Sequence, residues 1–487
     1  MLALLLPILV PFVGGCLLWL FKGFDNRKTR NIYVGTVLII SAAVTLTVVY
    51  TCEGTLTLWS IAEGVKLTLR IDGITKFFAS LMCLVFTTVG FYAFDYMHHE
   101  ENEKRFFAFY LMVMGVLSGI YLSANLVTMY LFYELMTLTS LPLVLHSLTK
   151  EAIAAGKKYL FYSVGGAFLS LVAIFYIYSV CGASDFVAGG YVGASGADKN
   201  MMLIFVFMAI IGFGCKAGLF PLQDWLPTAH PVAPSPASAV LSGIITKSGV
   251  IVLVRLIFYS VGADYIRDTW VQYAWMTLAL ITVFLGSMRA YHEKVLKKRL
   301  AYSSVSQVSY VLFGLSLLNA TGFMGALLHV AFHSIIKDGL FLIAGAIIIH
   351  TGAKNVDELR GIGKKMPVTI WCFTLLSLAL IGIPPASGFV SKWFLCLGAL
   401  ESAGGAFRYV GPAVLLISAL LTAGYLLPIT IKGFFPGNDF DYKGCVKCEP
   451  GLKMTVPIVI FTAAAIGFGL APGFIENAIE IISGGLF

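Results

Sequence analysis

Charge is scarce in this chain. Only 12% of its 487 residues are Asp, Glu, Lys or Arg, against 59% hydrophobic, and the mean hydropathy is +0.88. That balance excludes a set of soluble domains and describes a single polytopic membrane body. Sequences that hold nucleotides, flavins or iron–sulfur clusters carry glycine-rich fingerprints or several paired cysteines, and neither is present. No cofactor is therefore expected, and any catalysis must lie in partner subunits. A basic segment is also missing ahead of the first apolar run, so that run reads as a span and not as a cleaved signal. The nine cysteines are scattered, and Cys16, Cys83, Cys215, Cys372 and Cys396 stand in apolar runs. A thiol there acts as a small hydrophobe, which argues against a disulfide framework. Cys445 and Cys448 form one CxxC in a polar loop; without a second pair they do not make a zinc site. Acids are rarer than bases, 25 against 33, for a net charge of +8. The bases lie in short connections between apolar runs, where they set orientation and do not imply nucleic acid.

What is present is a succession of apolar runs. At about 20 residues per crossing they make about fourteen helices, so the expected fold is an all-α polytopic membrane protein. The expected limits are 2–21, 32–51, 73–96, 107–123, 125–146, 157–180, 201–229, 236–260, 270–290, 300–318, 322–350, 367–400, 407–432 and 454–473. An even number puts both termini on one side. The loops opposite hold most of the Lys and Arg, for example Lys22, Arg27, Lys28 and Arg30, then Lys294, Lys297, Lys298 and Arg299. By the positive-inside rule these loops are cytoplasmic and both termini external, in a cell inner membrane. Thr55 to Ile71 alternates polar and apolar residues around Glu63-Gly64, which predicts a small external β-hairpin.

Two runs are too long and too interrupted to be plain spans. Met201 to His230 contains Gly212, Gly214, Gly218, Pro221 and Pro227, and Pro367 to Leu400 contains Gly382, Pro384, Pro385 and Gly388. Proline frees backbone carbonyls, and broken helix at membrane depth is tolerated only inside protein or along a wet cavity. Paired breaks point to an internal repeat with its site at mid-membrane. The expected organisation is three N-terminal helices in 1–106, inverted five-helix repeats in 107–260 and 270–432, and a loop with the last helix in 433–487.

Five charged side chains stand inside the spans: Glu134, Lys216, Lys247, Lys337 and Lys392. Each costs roughly 2.5–3.5 kcal/mol at the centre of a spanning helix. A plain anchor would not carry them, and intramembrane charge marks a functional site. Glu134 is roughly 15 Å from either interface, too deep to snorkel, and needs a partner or a proton. Lys216, in Gly214-Cys215-Lys216-Ala217-Gly218, is its natural partner, either as a proton-loading contact or as a static ion pair. Lys247 has no acid close in sequence and suits a relay. Arg255, two turns later, stays charged and reads as structural.

His329, His333 and Lys337 recur at i, i+4 and i+8 and share one helix face about 6 Å apart, which suits hand-over through single waters. A metal on the two histidines would need a third ligand, which is not evident. Asp338 points elsewhere on the helix. Lys392 is either the end of the series or an interfacial lysine snorkelling beside Trp393 and Phe394. His230, in a polar turn near the cytoplasmic side, is either a point of proton uptake or a turn residue.

The run Lys216-Ala217-Gly218-Leu219-Phe220-Pro221-Leu222-Gln223-Asp224-Trp225-Leu226-Pro227-Thr228-Ala229-His230 continues through Ala233-Pro234-Ser235-Pro236-Ala237-Ser238-Ala239 to Lys247. It resembles the signature of the antiporter-like subunits shared by respiratory complex I, Mrp-type cation/proton antiporters and membrane-bound hydrogenases. Glu134, the HxxxHxxxK helix and Leu300-Ala301-Tyr302-Ser303-Ser304-Val305-Ser306-Gln307 match too, so the resemblance runs from about Glu134 to Lys392. It implies fourteen core helices, inverted repeats, broken seventh and twelfth helices and a hydrophilic proton-carrying axis. Glu134, Lys216, Lys247, His329, His333, Lys337 and Lys392 occupy its functional positions, and Lys392 places the chain with members whose last station is basic.

The implied partners are other membrane subunits, homologous antiporter-like subunits among them, with redox subunits in the hydrogenase case. The long lateral helix of the most distal family member is not expected, since the sequence stops after the fourteenth span. The expected function is a non-catalytic, proton-translocating subunit of an Mrp-type or hydrogenase-type complex. A stand-alone solute transporter would need a recognition pocket outside the lysine row. A scaffold would leave the charges unexplained. One lysine-rich row serves proton or sodium coupling alike.

Overall fold

The computed structural model describes residues 1–487 except 63–64, 183, 403–404 and 441–445. The turn expected at Glu63-Gly64 and Cys445 of the CxxC lie outside the described residues. The first helices are α1 (Leu6–Leu20), α2 (Arg27–Thr51), α3 (Gly73–Tyr96), α4 (Glu103–Leu122), α5 (Leu126–Val144), α6 (Lys150–Cys181) and α7 (Lys199–Ala217). After the short α8 (Leu226–Val232) come α9 (Ser235–Val261), α10 (Trp270–His292), α11 (Leu296–Ser316) and α12 (Ala320–Thr351). The chain closes with α13 (Pro367–Ile381), α14 (Ser387–Glu401), α15 (Phe407–Phe434), α16 (Leu452–Leu470) and α17 (Gly473–Ser483).

Among the described residues twelve helices are long and apolar enough to cross a membrane. The serine-rich α11 and the broken pair α13/α14 bring the crossings to the expected fourteen. Polar caps fix where many of them start: the side chains of Asn26, Asp72, Asn125, Thr149, Asp198 and Asn319 each accept a backbone N–H of the first turn. The helix α17 is an addition to the expected elements. It lays Ile475, Ile479 and Ile482 against the bundle beside α3 and α12.

The hairpin forms as expected from β1 (Thr55–Ala62) and β2 (Val65–Arg70), paired antiparallel with Leu56 opposite Leu69. It is tied to the start of α5, where Ala124 N–H donates to Thr68 O at 2.9 Å and Thr128 Oγ1 accepts from Thr68 N–H at 3.0 Å.

Burial sorts the helices. The apolar window of α9 is entirely buried, and those of α4 and α12 nearly so, whereas only a third of that in α6 or α16 is covered. Thus α9 and α12 form the middle of the bundle, and the outer helices present their apolar sides to lipid or to other subunits. Close approach is built in where needed: a Cβ at Gly249 of α9 would meet the α7 backbone at Ala217 N, 2.7 Å away.

Candidate functional site

The site grows out of helix ends. The helix α7 stops because Gly218 takes the left-handed conformation (φ 81°), and Trp225 Nε1–H folds back to donate to Cys215 O at 2.9 Å. This leaves Lys216 in the last turn, fully buried and pointing at α5. Its Nζ donates to Thr137 Oγ1 at 2.5 Å, reaches Tyr133 O at 3.4 Å and stands 4.1 Å from the Tyr133 ring centre.

The expected contact with Glu134 is not formed. No ion pair joins them among the described residues, and Glu134 Oε1 is buried without a hydrogen bond. Tyr133 and Thr137 lie one turn apart on the α5 face toward Lys216, while Glu134 is turned about 80° from the middle of that face, on the half-exposed flank.

A π-helical turn at Leu241–Ile245 interrupts α9. Lys247 Nζ uses the Ser242 carbonyl there, at 2.5 Å, and lies 2.8 Å from His333 Nδ1 on α12. The rings of His333 and His329 stack at 5.8 Å and 16°. His329 in turn contacts Gln307 Oε1 of α11 at 3.1 Å and Ser391 Oγ of α14 at 2.9 Å. Ser391 is followed directly by Lys392.

Lys392 does not snorkel. Its Nζ turns inward and donates to Leu380 O at 2.6 Å and Ile381 O at 2.9 Å, the carbonyls released where α13 ends at Gly382 (φ 94°). A cation on the negative end of a half-helix is favourable, and the Tyr310 ring lies 5.2 Å from it.

Three further positions differ from expectation. His230 is not in a polar turn: it lies in α8, fully buried, with its ring stacked on Phe341 at 4.7 Å. Phe341 is one turn from Lys337, whose Nζ donates to Leu300 O at 2.9 Å. Lys297, counted with the loop bases, is buried as well and donates to Ala233 O at 2.5 Å, three residues past His230. Arg299 beside it is also buried, bonding Glu293 O and Tyr425 O. Glu100, just outside α3, has its carboxyl raised by burial and pulled back down by the Lys297 charge.

Arg255 stands apart as expected: it is ion-paired to Asp72, the N-cap of α3, and is framed by Phe186 and Tyr259. Among the described residues no group of three or more His, Cys, Asp or Glu could hold a metal. Of the two histidines on α12, His329 uses both ring nitrogens, on Ser391 and Gln307, and His333 uses Nδ1 on Lys247.

Comparison with known proteins places this arrangement. Residues 123–422 match the family model described as NADH:quinone oxidoreductase/Mrp antiporter, TM, and residues 59–107 match that for the N-terminus of complex I chain 5. The chain is similar to NADH-quinone oxidoreductase subunit N of Desulforudis audaxviator, 32% identical over 75% of this chain and 71% of that protein. It is similar to a Na(+)/H(+) antiporter subunit of Alkalihalophilus pseudofirmus, 30% identical over 96% of this chain and 93% of that protein. In fold it matches a chain of the archaeal membrane-bound sulfane sulfur reductase complex with a TM-score of 0.85, at 21% identity, over 100% of this chain and 97% of that one.

Proposed function

Because the chain belongs to the NADH:quinone oxidoreductase/Mrp antiporter membrane-subunit family, we propose that it moves protons across the bilayer as one subunit of a multisubunit complex. The observation that carries this reading is the run of contacts from Lys247 through His333 and His329 to Ser391 beside Lys392, which crosses α9, α12 and α14 without leaving the interior. Such side chains cost too much at membrane depth to be retained for packing.

Protons are taken up by way of His230, with Glu100 and Lys297 at its cytoplasmic approach, and loading is governed by Glu134 and Lys216. Lys247, His333, His329 and Lys337 relay them, and Lys392 releases them. The half-helices that end beside Lys216 and Lys392 support two inverted repeats, 107–260 and 270–432. Both termini are external in this reading, in the inner membrane. The partners are other membrane subunits, homologous antiporter-like subunits among them, as in an Mrp-type antiporter or a membrane-bound hydrogenase. Likeness to the Na(+)/H(+) antiporter protein over nearly the whole chain favours the Mrp type.

The test is proton uptake by the assembled complex in proteoliposomes. Glu134→Ala and Lys216→Ala should each abolish it while the complex still assembles. Full activity in both would overturn the reading.

A further inference from the structure

Asp338 is the single acid among the described residues whose whole side chain is buried, and neither of its carboxylate oxygens accepts a hydrogen bond among those residues. It follows Lys337 on α12 but faces away from the Lys337 contact with Leu300. Together with Ser334, one turn earlier, it addresses the π-helical turn of α9. Ser334 Oγ donates to Gly243 O at 2.6 Å, and a Cβ placed on Gly243 would overlap both Asp338 oxygens. The missing side chain at Gly243 is therefore what makes room for the carboxyl.

Lys247 comes to the same place from the other side. It lies one turn beyond Gly243 on α9, and its Nζ reaches back to the Ser242 carbonyl, the peptide group that joins Ser242 to Gly243. The acid and the amine are thus within electrostatic reach across one peptide plane. Tyr110 of α4 also senses the carboxyl but spends its hydroxyl on Phe86 O, and Lys337 and His333 flank it along α12.

We propose that Asp338 is a proton-carrying acid of the row, exchanging its proton with Lys247. The step breaks the carboxylic O–H and forms an N–H on the neutral amine, leaving carboxylate and ammonium. The two states have the same net charge, so the interior accommodates either, whereas a lone ionised carboxylate without hydrogen bonds would not be sustained there. Asp338 and Lys247 then give the middle of the row the acid–base character that Glu134 and Lys216 give its beginning. This inference rests on the proton-moving reading above.

The test uses the assembled complex with Asp338→Asn, which keeps the shape and removes the proton site, and Gly243→Ala, which displaces the carboxyl while improving intrinsic helix propensity. Each should lower proton uptake by at least about tenfold without loss of subunits. Infrared difference spectra of the native complex should contain a carboxylic-acid C=O band that moves on carboxyl-13C labelling of aspartate and is lost in Asp338→Asn. A native rate in Asp338→Asn overturns the proposal. If the variants fail to assemble, absence of a label-sensitive band in the native complex overturns it. Glu134→Ala, measured alongside, separates the two readings: loss of transport there with a native rate in Asp338→Asn removes only the role of Asp338.

Discussion

Lys247 Nζ and His333 Nδ1 meet at 2.8 Å across the interface between α9 and α12, two of the most enclosed helices of the bundle. The π-helical turn lets this happen, because it turns the Ser242 carbonyl toward the lysine and fixes the direction of Nζ. Removing the imidazole should interrupt the row at that point. His333→Ala is expected to lower proton uptake about 10- to 100-fold with the complex assembled, while Lys247 keeps its carbonyl partner. An unchanged initial rate in a pH-dye assay would remove His333 from the path.

At the start of the row the hydroxyl of Thr137 occupies the place expected for the Glu134 carboxylate. Thr137→Val is nearly isosteric and deprives Lys216 of its nearest acceptor, so uptake should slow by about tenfold or more, which is what loss of one hydrogen bond to a charged group implies. Thr137→Ser, which keeps the hydroxyl, should stay close to native. Equal rates in both variants would show that Lys216 takes its orientation elsewhere.

These two contacts mark where the sequence is readable and where it is not. Span number, the hairpin and both helix breaks follow from hydropathy, alternation and proline, all of which are local. The candidate site residues follow from the cost of charge at depth. Their partners depend on how each helix is rotated, and a sequence without neighbours does not specify rotation. Depth alone therefore pairs Glu134 with Lys216, although α5 turns Tyr133 and Thr137 inward. Asp338 looks incidental for lying off the lysine face, when α12 is buried on every side at that level. Lys297 looks like a loop base because it stands among Lys294, Lys298 and Arg299. The signal available for Asp338 is its depth; for α17 it is the alternation of Ile475, Ile479 and Ile482 with Glu476 and Glu480.

Outside the row, the ion pair between Asp72 and Arg255 fastens α9 to the start of α3. Burial raises the Asp72 carboxyl, but the Arg255 charge and the hydrogen bonds from Arg255 and Thr75 outweigh it and hold the group down at about 2, against an ordinary 3.8. The shift corresponds to about 2 kcal/mol of stability. The folded-state value is the lower one, so the contribution is complete above the ordinary value of 3.8 and is lost as pH falls toward 2. Thermal unfolding of the detergent-solubilised protein should show a constant deficit of Asp72→Asn against native above about pH 5, narrowing on acidification. A deficit that is the same at pH 3 and pH 7 would contradict this account.

At the far end, Lys392 has two separable duties. Its ammonium caps the carbonyls of Leu380 and Ile381, and in the proposed path it also releases a proton. Lys392→Met removes both, and loss of the donor from two inward carbonyls should destabilise the protein by about 1–3 kcal/mol. Lys392→Arg keeps a cation on the end of α13 but replaces a group that can give up its proton at depth with one that does not. Lys392→Arg should therefore retain native thermal stability in detergent and lose proton uptake, while Lys392→Met loses both. Native uptake in Lys392→Arg would reduce Lys392 to a helix cap and place the exit elsewhere, because a guanidinium can hold the carbonyls but cannot pass the proton on.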